Sequence, residues 1–219
     1  MKKYYYIEYD GHIYLIKKNK KLTLPTTIKN FPFILDEVCK MNFEKFTIYY
    51  MHPQIERIPS NWKNKDVLFE ERNVDRIVYI AISRTYPRCV SKGIISDSNG
   101  KILLMKANIG FSKNKWNLPG GFLNLGETPE EALIRECLEE LGINIKIKRL
   151  IDIISRVFED TRVYVLNFIY EATTGDKITI NRDEVRDAKY FTVDEALKLV
   201  ESPFAIEGIT KCKLWSSGV

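Results

Sequence analysis

With 219 residues, 45% of them hydrophobic and 29% charged, the chain can bury a sizeable core in one large or two small domains, which excludes an intrinsically disordered protein. No run approaches the ~18 apolar residues of a membrane-crossing helix, and Met1 to Tyr6 lack the apolar heart of a secretory signal, so no membrane partner is expected. The net charge of +5 falls wholly within the first 85 residues, which also hold eight of the 12 tyrosines. Basic and aromatic residues together suit RNA binding by phosphate contact and base stacking, or a solvated β surface with half-buried tyrosines. The four cysteines, Cys39, Cys89, Cys137 and Cys212, form no C-x-x-C pair. That argues against a zinc ribbon or a dithiol centre and fits a reducing, cytoplasmic setting.

In chain order, residues 4–9 and 12–16 flank Asp10 and Gly11, a strong hairpin signal, and residues 17–21 form a polar turn. Residues 33–40 read as a short amphipathic helix and 46–51 as a strand, and 52–64 as a loop holding Pro53 and Pro59. The β-branched run at 74–82 reads as a strand. Residues 1–82 are thus expected to be a small α+β module, with 83–219 a second domain. There, 89–96 and 101–106 form a hairpin across Asn99 and Gly100. Strands are expected at 143–154 and 162–172, the latter central, and Thr192 caps a last helix with Glu195 as its box partner.

Residues 128–142 read as a bounded helix. Thr128 is the N-cap, Pro129 takes the first position, Glu131 completes a capping box and Gly142 is a left-handed C-cap. At ~100° per residue, Glu136, Glu139 and Glu140 share one face, while Leu133, Ile134, Cys137, Leu138 and Leu141 cover the other. Like charges at this spacing disfavour a helix by a few tenths of a kcal/mol per pair. Either the face is solvated and neutralised by Arg135 and water, or it serves a hard divalent cation that prefers oxygen ligands. Upstream, Trp116 to Gly121 form a turn ending in Gly120 and Gly121, where backbone can approach a phosphate closely.

These residues resemble the Nudix box, G-x5-E-x7-REUxEExGU with U aliphatic. Gly121, Glu127, Arg135, Glu136, Glu139, Glu140 and Gly142 match every fixed position, Ile143 is the final U, and Cys137 departs from the first. The resemblance covers roughly residues 88–200. It implies an α/β/α sandwich around a mixed sheet, preceded here by the α+β module. It also implies hydrolysis of the pyrophosphate bond of a nucleoside diphosphate linked to another group, with Mg²⁺, or Mn²⁺ in its place. By motif position Glu136 and Glu140 are the main metal ligands, Glu139 a third, and the carbonyl of Gly121 or Gly120 a backbone ligand. Arg135 orients the glutamates, and Glu127 supports that network, adds a metal contact or meets the substrate.

Both histidines, His12 and His52, lie outside the matched region, so the base is a carboxylate or a water acidified by metal. Glu184 is the first candidate, because the segment from Glu184 to Phe191 resembles the family's recurrent one. Glu159 or Asp160 is second. For the substrate, Phe111, Phe122, Phe158, Tyr190 and Phe191 offer stacking, and Arg84, Arg88 and Arg156 offer phosphate contacts; Arg88 and Phe158 lead. ADP-ribose-like molecules are favoured. Two alternatives stand: a hydrolase of RNA ends or caps whose residues 1–82 grip RNA, and a non-catalytic nucleotide sensor. A second copy of the chain is a further expected partner, through the N-terminal module.

Overall fold

The computed structural model describes residues 1–110, 112–158 and 161–216, residues 215 and 216 by their backbone alone. The chain forms two units, Met1–Pro87 with Val157–Tyr164, and Arg88–Arg156 with Val165–Val219.

In the first unit, β1 (Lys2–Tyr9) and β2 (His12–Ile13) close over Asp10 and Gly11, whose φ angles of 46° and 71° make the mirror-image turn that matches strand twist. A second hairpin joins β3 (Ile16–Lys18) to β4 (Lys21–Thr23) across the polar turn expected there. The strands β5 (Leu35–Asn42), β6 (Phe46–Pro53) and β7 (Lys63–Asn64) complete a sheet of order β5-β6-β1-β2-β7, with β1 and β6 parallel.

Two expectations are overturned in this unit. Residues 33–40 are not a helix: β5 pairs antiparallel with β6, and a register shift between Glu37 and Cys39 disturbs the strand alternation. With its period of two broken there, Leu35 packs against the Ile7, Met51 and Trp62 cluster, while Cys39 joins that of Tyr6, Met41 and Ile48. Residues 74–82 are not a strand but lead into a helix, α1 (Arg76–Ser83). Its Ile77, Val78, Ala81 and Ile82 are buried, the i, i+1, i+4, i+5 stripe of a helix face, and packing overrides β-branched propensity. They meet Tyr6, Ile13, Leu24, Met41, Ile48 and Tyr50 in one core cluster. A second cluster centres on Ile7, Met51 and Trp62, with Tyr5, Tyr14 and Tyr49 packed against it.

The second unit holds β8 (Arg88–Ser96), β9 (Ile102–Ala107), β10 (Trp116–Asn117), α2 (Pro129–Leu141), β11 (Lys146–Phe158), β12 (Val163–Thr173), β13 (Val185–Phe191), α3 (Val193–Leu199) and α4 (Pro203–Ser216), with the end of one strand and the start of the next counted in the first unit. The sheet order is β10-β9-β8-β12-β11, with β13 on β9, and it is mixed: β12 runs parallel to β8, while β13 runs antiparallel to β9. α2 packs Leu133, Cys137 and Leu141 onto Ile95, Leu103, Tyr170 and Ala172. Because strand neighbours alternate faces, Ile169 lies opposite Tyr170, and a Cβ on Gly208 of α4 would meet it at 2.7 Å. Helices therefore cover both faces, as an α/β/α sandwich requires.

The expected hairpin of β8 and β9 is paired at its base, at Ser96 and Ile102. Beyond that the glycine segment lies beside β8: Gly93 donates to the Pro119 carbonyl at 3.0 Å, Ser91 to the Gly121 carbonyl at 2.9 Å, and Leu123 to the Cys89 carbonyl at 3.1 Å. This lateral seat positions the site.

Candidate active site

Both ends of α2 are built as its residues dictate. The Thr128 hydroxyl accepts the Glu131 N–H at 3.2 Å, the Glu131 carboxylate accepts the Thr128 N–H at 2.8 Å, and Gly142 sits at φ 63°. One expectation about its faces fails. Ile134 and Leu138 are 41% and 52% exposed, whereas Glu140 is only 8% exposed. The buried stripe is Ala132, Leu133, Cys137, Glu140 and Leu141, so a carboxylate takes part in packing.

Glu140 accepts the Gly120 N–H at 3.0 Å. Burial pushes its carboxyl up to about 7; the Lys92 charge and the Gly120 bond oppose that, while Glu136 and Glu184 add to it. Gly120 has φ 116°, and a Cβ there would stand 2.2 Å from the Ser91 carbonyl oxygen, so only glycine fits. At Gly121 an added Cβ would lie 2.5 Å from the Glu136 carboxylate, which shows how closely that side chain approaches the loop.

Arg135 gathers the remaining acids. Its guanidinium donates to Glu127 at 2.6 and 3.0 Å, to Glu136 at 2.8 Å, to Glu139 at 2.9 Å and to the Phe122 carbonyl at 3.0 Å. Those bonds, with the Asn124 N–H at 2.7 Å, hold the Glu127 carboxyl down at about 2. Arg88 stacks its guanidinium 3.7 Å from the centre of the Phe122 ring, which is 37% exposed.

Glu184 ends the turn before β13 and is tied to α2 through that turn: Asn181 donates to the Glu140 carbonyl at 2.9 Å, and Glu184 to the Asn181 carbonyl at 3.1 Å. Its charge acts on Glu140. The other expected residues have partners or positions of their own. Arg156 is paired with Glu207 at 2.7 Å, Phe191 packs edge-on against Trp116, and Tyr190 joins the core. Arg84 and Phe158 belong to the first unit. Phe111, Glu159 and Asp160 lie outside the described residues.

Lys92 went unforeseen. It is the one cation in an otherwise small and apolar stretch from Cys89 to Ser96, and its ammonium donates to the Gly120 carbonyl. Burial lowers its pKa against the opposing pull of Glu140 and Glu136. The isolated charge in that strand was the available signal.

The donor set suits a hard divalent cation. It consists of carboxylates and backbone oxygens, with Arg135 and Lys92 already held among them. Among the described residues no three acidic, histidine or cysteine side chains meet at one coordination point, because Arg135 is interleaved with Glu127, Glu136 and Glu139. Of the two carbonyls expected as backbone ligands, that of Gly121 accepts the Ser91 N–H and that of Gly120 accepts the Lys92 ammonium.

The family profile described as "NUDIX domain" matches residues 88–211. An ADP-ribose pyrophosphatase of Methanocaldococcus jannaschii is 34% identical over 135 residues, which is 61% of this chain and 77% of that protein. An NAD-capped RNA hydrolase NudC of Haemophilus influenzae is 32% identical over 117 residues, 52% of this chain and 43% of that protein. Among solved structures, a MutT NUDIX hydrolase from Burkholderia pseudomallei aligns with TM-score 0.51 and 23% identity over 57% of this chain and 98% of its own. A MutT protein from Methanosarcina mazei Go1 aligns with TM-score 0.52 and 21% identity over 59% and 96%. At such identities the likeness is one of fold.

Proposed function

The chain belongs to the Nudix family, hydrolases of phosphoric anhydrides that use divalent metal ions, and on that premise we propose that it cleaves the pyrophosphate bond of an ADP-ribose-like nucleoside diphosphate with Mg²⁺, Mn²⁺ serving as well. Catalysis is assigned to residues 83–219, and residues 1–82 form an accessory module.

The reading rests on one observation: Glu127, Glu136 and Glu139 are fanned around a single guanidinium while Glu140 is buried against Gly120 with the Glu184 charge acting on it. Glu136, Glu140, Glu139 and the Gly120 carbonyl would hold the ion. Once bound, it neutralises phosphate charge and acidifies the attacking water. Arg135 keeps the carboxylates in place, so little reorganisation is left for the reaction itself. Glu184 is assigned as acceptor of the water's proton. Arg88 and the exposed ring of Phe122 are assigned to the substrate, a guanidinium for phosphate and a π face for a base. So complete a carboxylate set disfavours a pure sensor, which has no use for a costly anionic helix face.

Support for ADP-ribose comes from the relative of that name, which matches over 77% of its length. The RNA reading draws on the NudC relative, but the tyrosines of the first unit are largely taken up in packing: Tyr6 and Tyr50 are buried and Tyr5 stacks on Tyr49 at 5.3 Å. The deciding experiment offers ADP-ribose, 8-oxo-dGTP, a dinucleoside polyphosphate and an NAD-capped RNA oligonucleotide, each with Mg²⁺ or Mn²⁺. AMP and ribose 5-phosphate from ADP-ribose at the highest kcat/KM are expected. Capped RNA cleaved while ADP-ribose stays inert would replace this reading with the RNA one.

A further inference from the structure

A half-buried lysine whose side chain runs inward from a β-strand needs a partner for its ammonium. Lys92 donates to the carbonyl of Gly120, whose N–H holds Glu140 and whose two neighbouring carbonyls, those of Pro119 and Gly121, are bonded to β8. The ammonium thus takes the carbonyl between those two, on a residue whose N–H holds Glu140 and whose neighbour Gly121 lies against the Glu136 carboxylate. These are the groups that the proposed metal reading assigns to a divalent ion.

We propose that Lys92 is a tethered stand-in for the metal: in the metal-free protein it holds the Gly120 carbonyl and balances Glu140 and Glu136, and an incoming divalent ion must displace it. Lys92 is a positioning residue, acting on the reaction through the loop and carboxylates it holds. Two consequences follow from one charge occupying two roles. The loop and helix keep their arrangement without metal, because a buried carboxylate with no counter-charge is strongly unfavourable. Metal binds more weakly than it would to the same oxygens alone, since ion and ammonium compete for them. A lysine with only a packing role predicts the opposite, because its loss would loosen the site.

The test is Mn²⁺ binding to the full chain at neutral pH, followed by electron paramagnetic resonance, for wild type, Lys92→Met and Lys92→Arg. Lys92→Met, which keeps length and removes charge, is expected to bind Mn²⁺ about tenfold tighter, while Lys92→Arg stays within about threefold of wild type. Without metal Lys92→Met should melt below wild type, and saturating Mn²⁺ should narrow the gap. A folded Lys92→Met with equal or weaker Mn²⁺ affinity overturns the proposal. Should that variant be unfolded, Lys92→Gln is used: folding restored by Mn²⁺ supports the proposal, and failure to fold with or without Mn²⁺ makes the lysine structural and overturns it. Failure of the underlying metal reading looks different, since wild type would then bind no Mn²⁺ at all and Glu140→Gln would change nothing.

Discussion

The two units treat buried polar groups in different ways. In the first, the buried polar side chains among the described residues are Thr23 and Thr47, and each hydroxyl donates to a carboxylate or amide oxygen, of Asp75 at 3.0 Å and Asn42 at 2.9 Å. In the second they are Ser91, Asn167 and Glu140. Ser91 Oγ and Asn167 Oδ1 have no hydrogen-bond partner among the described residues, and Glu140 is pushed up to about 7. Ser91 precedes Lys92 on β8, and Phe168, which follows Asn167, pairs with Ser91 on β12. Unmet polar cost thus gathers on β8, beside the glycine loop, and on its sheet neighbour β12. A fold tolerates such cost where chemistry requires it, so the unit that is less well satisfied is the one that carries the reaction.

The strongest way to break this contrast is to remove the buried charge itself. Glu140→Gln keeps an oxygen for the Gly120 N–H but cannot carry a negative charge. Turnover is expected to fall by at least about 10³-fold, or roughly 4 kcal/mol of transition-state stabilisation, while the melting temperature at neutral pH changes little, because burial already disfavours the ionised carboxyl. Glu184→Gln should lower kcat by about 10²-fold with a smaller change in KM. Steady-state kinetics beside thermal melts decide both. Wild-type turnover in Glu140→Gln would remove Glu140 from the metal set, and unchanged kinetics in Glu184→Gln would move the base elsewhere.

A subtler comparison sets one hydroxyl in each unit against the other. Thr23→Val breaks a satisfied bond to Asp75, the N-cap residue of α1, and should cost about 1 kcal/mol. Ser91→Ala removes an oxygen that has no partner, and should be neutral or stabilising by up to about 1 kcal/mol. Midpoints of urea unfolding give the two signs. Equal destabilisation by both would mean that Ser91 is satisfied in solution, and the contrast between the units would lose its footing.

How far sequence alone reaches follows the same division between local and distant causes. The limits of α2 were legible because Thr128, Pro129, Glu131 and Gly142 act within one turn of the helix ends they define. The first hairpin was legible for the same reason, through Asp10 and Gly11. By contrast β5 and α1 exchanged helix for strand, because a bulge at Glu37 and the packing of Ile77 and Ile82 are decided by other strands. α4 was not foreseen, although Ser202 and Pro203 mark its start; Ala205 stands where a capping-box acid would, unlike Glu195 in α3. Within the site, the carboxylates were visible by their spacing. Lys92 was not, since its partner Gly120 lies far along the chain and meets it only once the loop lies beside β8.

The smallest expected effect concerns Glu127, the outermost member of the carboxylate set by chain order. Its carboxyl is held at about 2, chiefly by the Arg135 hydrogen bonds, against an ordinary value of 4.5. A depressed folded pKa means that the unfolded chain takes up the proton first as pH falls. The stability contributed by the pair is therefore complete above about 4.5 and is lost progressively between about 4.5 and 2. Glu127→Gln cannot show this loss, so its melting temperature should fall less steeply than that of wild type across that window and run nearly parallel to it at neutral pH. The group is near the surface and screened by solvent, so the difference should be modest and should shrink with added salt. Identical acid limbs for the two proteins would mean that Arg135 does not hold Glu127 in solution. The guanidinium would then be free to pair more fully with Glu136 and Glu139, leaving Gly120 and Lys92 as the remaining brace for Glu140.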